Sequence, residues 1–92
     1  MERLRAIIAD DEAALRDHLR KKLSSLWPEL VVAGEAQDGE TAIKLIGDLA
    51  PDIAFLDISM PGMTGIEVAK ASAGACLFVF VTAHDEFAVE AF

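Results

Sequence analysis

Ile53-Ala54-Phe55-Leu56-Asp57-Ile58-Ser59-Met60-Pro61-Gly62 is the stretch on which the reading of this chain turns. A short apolar run with β-branched and aromatic residues ends on a single acid. Pro51-Asp52 precede the run and Pro61-Gly62 follow it. That pattern predicts a strand covered on both faces, closed by a tight turn. Asp57 then stands at the carboxyl end of a central strand, where open α/β sheets bind their ligands. Taken singly, such an acid serves equally well as a turn cap, so the flanking chain has to decide.

On the amino-terminal side, Leu4 to Ala9 reads as a first strand that ends on Asp10-Asp11-Glu12. Leu15, Leu19, Leu23 and Leu26 keep helical spacing along one side. Arg16, Arg20, Lys21 and Lys22 fall on the expected wet side, and Pro28 marks the stop. Leu30 to Ala36 predicts a second strand and Asp38-Gly39 the turn out of it. Gly39 to Leu49 predicts a second helix, with Ala42, Ile43, Leu45, Ile46 and Leu49 on its apolar face. Beyond the central strand, Ile66 to about Ala73 reads as a short third helix with Glu67 and Lys70 outward. Leu77 to Val81 is apolar at every position, which predicts a fourth strand buried on both faces. His84 to Phe92 is expected to begin another helix, with Phe87, Val89 and Phe92 as its apolar positions. This alternation predicts a parallel sheet with right-handed crossovers and helices on both faces.

With 92 residues the chain makes one domain, and 53% hydrophobic residues with a mean hydropathy of +0.36 suffice for a core. Sixteen acids against 8 Lys+Arg leave a net charge of −8. That balance argues against nucleic acid or an anionic membrane as ligands of this chain itself, and suits a cation. Cys76 is the sole cysteine, so no internal disulfide forms; it reads as a small apolar residue beside the fourth strand. His18 reads as a solvated helix residue. The apolar run Ala6 to Ala9 is too short for a targeting core. The uncharged stretch Ala71 to His84 falls short of the ~20 residues of a membrane span. A cytoplasmic domain is the expectation.

Asp10-Asp11, Asp57 and Thr82 each lie at the carboxyl end of a different predicted strand. A parallel sheet brings those ends to one edge. Two carboxylates ~5 Å apart repel by roughly 3 kcal/mol at an effective dielectric near 20. Three are relieved by a cation or by shared protons. A hard divalent ion with oxygen ligands is the natural relief, and Mg²⁺ favours few carboxylates together with waters and phosphate oxygens. The Thr82 hydroxyl would add a donor to an anion held beside that ion.

At these residues the chain resembles the CheY-like receiver domain of bacterial two-component response regulators. The matching pieces are Ala9-Asp10-Asp11-Glu12, Leu56-Asp57-Ile58, Met60-Pro61-Gly62-Met63-Thr64-Gly65 and Val81-Thr82-Ala83, in order and in register. The wording of residues Thr82 to Phe92 is similar to the LytTR-type branch, whose receivers commonly precede a DNA-binding domain. The resemblance implies a flavodoxin-like three-layer sandwich with strand order 2-1-3-4-5. It implies Asp57 as phosphoryl acceptor, Mg²⁺ held by Asp10, Asp11, Asp57 and the Ser59 carbonyl, and Thr82 hydrogen-bonding the phosphoryl group. It also implies a sensor histidine kinase as donor and an attached output domain that controls transcription.

Receivers also carry a fifth strand with a Lys that pairs with the phosphoryl group. The sequence ends before such an element, and Lys44 and Lys70 lie on outer helix faces. Residues 1–92 therefore read as a receiver incomplete at its carboxyl end. The fourth strand is expected to be an open apolar edge through which two chains pair or exchange elements. Two further classes remain at this stage. One is a Mg²⁺-dependent phosphatase or phosphotransferase, although the haloacid-dehalogenase pattern places an acid two residues after its nucleophile and that position is Ser59. The other is an interaction module that keeps the fold without phosphorylation.

Overall fold

The computed structural model describes residues 3–81 and 87–90. Five strands and three helices follow in the order β1 (Arg5–Ala9), α1 (Ala13–Leu26), β2 (Val31–Ala36), α2 (Gly39–Leu49), β3 (Ile53–Asp57), α3 (Gly65–Ala71), β4 (Leu77–Val81) and β5 (Phe87–Glu90). One sheet holds them in the order β2-β1-β3-β4-β5. The first four strands are parallel, as a βαβ alternation requires. Each crossover helix buries one stripe against the sheet, and the result is the expected flavodoxin-like sandwich.

The two faces of the sheet are filled differently. Ile7, Ala54, Leu56, Phe78 and Phe80 point toward α2 and α3, where Ala42, Ile46, Val68 and Ala69 meet them. Ala6, Ile8, Ile53, Phe55 and Val79 point the other way and meet Leu19 of α1. Neighbouring positions of one strand thus serve opposite layers, because side chains alternate along a strand. Ala6, Ile7, Ile8, Ala54, Leu56 and Phe78 are each wholly buried, which accounts for the unbroken apolar runs of β1 and β3.

The helix ends follow local chemistry. The Asp38 carboxylate accepts the Thr41 N–H at 2.7 Å and starts α2. Thr64 and Glu67 form a reciprocal capping box at the start of α3. Ala50 closes α2 in the left-handed region, with φ 45°, directly before Pro51.

Two expectations are corrected. The stripe foreseen on α1 is only partly buried: Leu19 is covered and Leu23 packs beside it, but Leu15 and Leu26 are 45% and 75% exposed. Fourteen helical residues span about 21 Å against about 17 Å for the five residues of β1, so α1 is longer than the strand it packs on. Arg16, assigned to the wet side, is mostly covered, its side chain 18% exposed.

The second correction concerns the end of the chain. Phe87–Glu90 forms a strand and not part of a helix, pairing antiparallel with β4 in the register Val79↔Val89 and Val81↔Phe87. The remainder of the expected helix lies outside the described residues. β4 is consequently not an open edge, and the pairing of two chains through it loses its premise. Phe87 and Val89 are spaced as suits a strand as well as a helix. A nine-residue helix is marginal by itself, whereas the edge of β4 offers a full row of backbone partners.

Candidate functional site

The acids come together at one edge of the sheet. Asp10 directly follows β1 and Asp57 ends β3, the neighbouring strand in the sheet. Parallel pairing of these strands aligns Ala9 with Leu56, so the residue after each falls at the same level. Asp11 follows in the loop to α1. One carboxylate oxygen from each of Asp10, Asp11 and Asp57 lies within 4.8 Å of the other two. The three differ in environment: Asp10 is buried, Asp57 half-buried and Asp11 exposed.

Asp10 is tied down by every polar group it has. Its N–H donates to the Ala36 carbonyl at 3.0 Å, anchoring the loop to the end of β2. Its carbonyl accepts from Arg16 Nη1 at 2.7 Å. Its carboxylate Oδ1 accepts the Glu12 N–H at 2.9 Å, a local turn that starts the approach to α1. Burial holds the Asp10 carboxyl above its ordinary range. The Glu12 N–H opposes that shift, and the charges of Asp57, Asp11 and Glu12 add to it.

Asp57 is presented by a loop folded just as tightly. Ser59 N–H donates to Asp57 Oδ1 at 3.2 Å, which sets the direction of the carboxylate. Ile58 N–H donates to the Val81 carbonyl at 3.3 Å, and Gly65 N–H to the Ile58 carbonyl at 3.2 Å. Met60 is buried in the core and anchors the loop from below. Pro61-Gly62 then turns outward, with φ +77° at Gly62, a region that favours glycine. Gly65 begins α3 against the strand end: a Cβ there would stand 2.3 Å from the Asp57 carbonyl oxygen.

The structure thus brings Asp10, Asp11 and Asp57 together and sets Ser59 on the loop beside them. Thr82 lies outside the described residues; Val81, the residue before it, is the register partner of Asp57. Lys44 and Lys70 are exposed on outer helix faces, and Lys44 pairs with Asp48 at 2.9 Å. Cys76 is half-buried against the core, and burial, followed by the charge of Asp52, pushes its thiol up. His18 is exposed. Sequence reasoning missed two contributors. Arg16 reads as one more cation on a helix, and only the Asp-Asp-x4-Arg spacing hinted that it reaches back over the loop. Gly65 stands in sequence only as the last residue of the motif after β3, although its role is to let a helix approach a strand end.

Arranged in this way, carboxylate oxygens of one sign stand close together, one of them buried, one half-buried and one exposed. Such a set suits a hard divalent cation: the ligands are carboxylates, their repulsion needs relief, and one of them is already reluctant to stay charged. Among the described residues no helix is long and apolar enough to cross a membrane.

Comparison with known proteins agrees with this site. The response regulator receiver domain matches residues 6–92. An uncharacterized response regulatory protein of Vibrio cholerae is 49% identical over 90 residues, covering 95% of this chain and 34% of that protein. The positive alginate biosynthesis regulatory protein of Pseudomonas aeruginosa is 42% identical over 95 residues, covering 97% of this chain and 37% of that protein. The chain therefore spans about a third of the curated relatives it matches. Among solved structures, the signal receiver domain of the response regulator NarL from Mycobacterium tuberculosis superposes with a TM-score of 0.82 at 38% identity, covering 94% of this chain and 71% of that one. With its fold, its acids and its relatives in agreement, the chain belongs to the response regulator receiver domain family.

Proposed function

We propose that residues 1–92 act as one phosphoacceptor receiver domain that takes a phosphoryl group on Asp57 and changes conformation to control an output. The observation that carries this reading is the convergence of the Asp10, Asp11 and Asp57 carboxylates within 4.8 Å at the carboxyl edge of the sheet. An Asp57 carboxylate oxygen attacks the phosphorus of a phosphohistidine on a sensor histidine kinase. The P–N bond breaks, the imidazole leaves with the electron pair, and an aspartyl-phosphate forms. Such transfer depends on positioning and charge neutralisation more than on covalent help. Asp10, Asp11, Asp57 and the Ser59 carbonyl are the groups that would hold Mg²⁺. The ion, when bound, neutralises the acids and the incoming phosphate. Buried and bonded on three sides, Asp10 is the rigid ligand of the set. Exposed Asp11 is free to adjust. Thr82 is assigned the hydrogen bond to the phosphoryl oxygens, which couples the site to the chain beyond β4.

The protein is read as a cytoplasmic switch and not as a turnover enzyme: its product stays on its own side chain, and the output follows from a shift between two conformations. The regulatory role in the name of the P. aeruginosa relative supports control of transcription through an attached output domain. The similarity of residues Thr82 to Phe92 to the LytTR-type branch supports one that binds DNA.

Intact mass after incubation with Mg²⁺ and a small acyl phosphate, beside Asp57→Ala, tests the proposal. One added phosphoryl group is expected in the wild type and none in the variant. An adduct that survives in Asp57→Ala, or none in the wild type, refutes the assignment.

A further inference from the structure

Resting on the reading above, we infer that Arg16 is a positioning residue for the cation: its guanidinium sets the peptide that joins Asp10 to Asp11, and so aims both carboxylates. The Asp10 carbonyl belongs to the same planar unit as the Asp11 N–H and Asp11 Cα. Arg16 Nη1 holds that carbonyl at 2.7 Å, so it fixes the rotation of the plane from which both acids depart. No other side chain bonds that carbonyl among the described residues.

The guanidinium is itself held. Arg16 Nε stands 3.5 Å from Glu35 Oε1 on β2, and the other oxygen of Glu35 lies 3.6 Å from Arg20 Nε. The next residue on β2, Ala36, receives the Asp10 N–H. Two adjacent residues of β2 thus grip Asp10 from opposite ends, one directly and one through Arg16. Arg16 is also much the less exposed of the two arginines, its side chain 18% accessible against 50% for Arg20. Its function as a surface cation is therefore secondary to its bond with the loop. A charged donor on a carbonyl is a strong hydrogen bond. The fork of an arginine supplies separate N–H groups for the carbonyl and the carboxylate, which the single ammonium of a lysine does not reproduce.

The test is isothermal titration of the chain with Mg²⁺, comparing wild type, Arg16→Met and Arg16→Lys at one pH and ionic strength, with thermal melting in the absence of metal alongside. Arg16→Met is expected to bind about tenfold more weakly, equal to about 1.4 kcal/mol. Arg16→Lys is expected to fall between, about threefold weaker. A merely structural residue lowers the melting temperature without moving the affinity measured far below it, so a folded Arg16→Met with wild-type affinity overturns the inference. If Arg16→Met does not fold, Arg16→Lys decides, and wild-type affinity there overturns it. A wild-type chain that binds no Mg²⁺ overturns the proposed function of the site as well, which separates the two failures.

Discussion

Gly65→Ala adds one methyl group where α3 meets the end of β3. That carbon would stand 2.3 Å from the Asp57 carbonyl oxygen, 3.0 Å from its carbonyl carbon and 3.2 Å from Leu56 Cβ. Ordinary contact begins near 3.4 Å, so helix and strand must part by about 1 Å. Neither yields easily. β3 is clasped between β1 and β4. The short α3 is pinned by its capping box and by Val68 and Ala69, both wholly buried. The obstacle is backbone, with no flexible side-chain end to swing away. Overpacking of this kind costs typically 1–3 kcal/mol, and a rigid obstacle puts it at about 3. In a domain of this size that lowers the melting temperature by about 12–24 °C. Gly47→Ala is the control. It makes the same chemical change on α2, where an added Cβ meets nothing within 4 Å. It should raise stability by up to about 1 kcal/mol through helix propensity, and the melting temperature by up to about 8 °C. Melting followed by circular dichroism reads both. Because the clash falls on the peptide of Asp57, the rate of phosphoryl addition should drop in Gly65→Ala and stay unchanged in Gly47→Ala. A Gly65→Ala chain that melts with the wild type, or two variants that shift in the same direction, would refute the reasoning.

Asp10→Asn removes a buried charge whose carboxyl is held above its usual range. With that pKa raised by folding, the native state binds more protons than the unfolded chain, and stability falls as pH rises through the window between the two values. The variant is therefore expected to melt higher than wild type at neutral pH, without metal. Its advantage should disappear as the pH is lowered through the carboxylate range; an advantage that persists in acid would contradict burial as the cause. Thr64→Ala deletes one half of the capping box on a seven-residue helix. A loss of about 1 kcal/mol, seen as a fall of roughly 4–8 °C, is expected, and an unchanged melt would mean that packing alone holds α3.

Much of this architecture could be read from residues close together in sequence. The bounds of α2 follow from Asp38 at one end and Pro51 at the other, and β4 from five apolar residues after Gly74. Parallel topology puts the ends of β1 and β3 at one edge of the sheet, whereas the strand order that makes them neighbours, and so lets Asp10, Asp11 and Asp57 meet, is what the resemblance to receivers implies. Arg16 escaped because helical periodicity sorts residues by face and says nothing of a long side chain that bends back to the preceding loop. Gly65 escaped because its neighbour, the Asp57 carbonyl, is known only once helix and strand are docked. Phe87–Glu90 was misjudged for a third reason. So short a stretch carries too little local preference to choose a conformation, and the choice there fell to the unpaired side of β4.

The unequal filling of the sheet's two faces has a consequence for motion. Among the described residues, twelve buried residues form the cluster shared with α2 and α3, and seven the cluster that includes α1. α1 contributes a single buried side chain, Leu19, where α2 and α3 each contribute two apolar ones, so its amides should exchange soonest. It also carries the arginine that grips the acid loop. Any ion that binds only the gripped form stabilises the docked state of α1. By mass action, tenfold excess over the dissociation constant adds about 1.4 kcal/mol against that opening. The least protected helix of the domain thus becomes a gauge of whether the site at its head is filled.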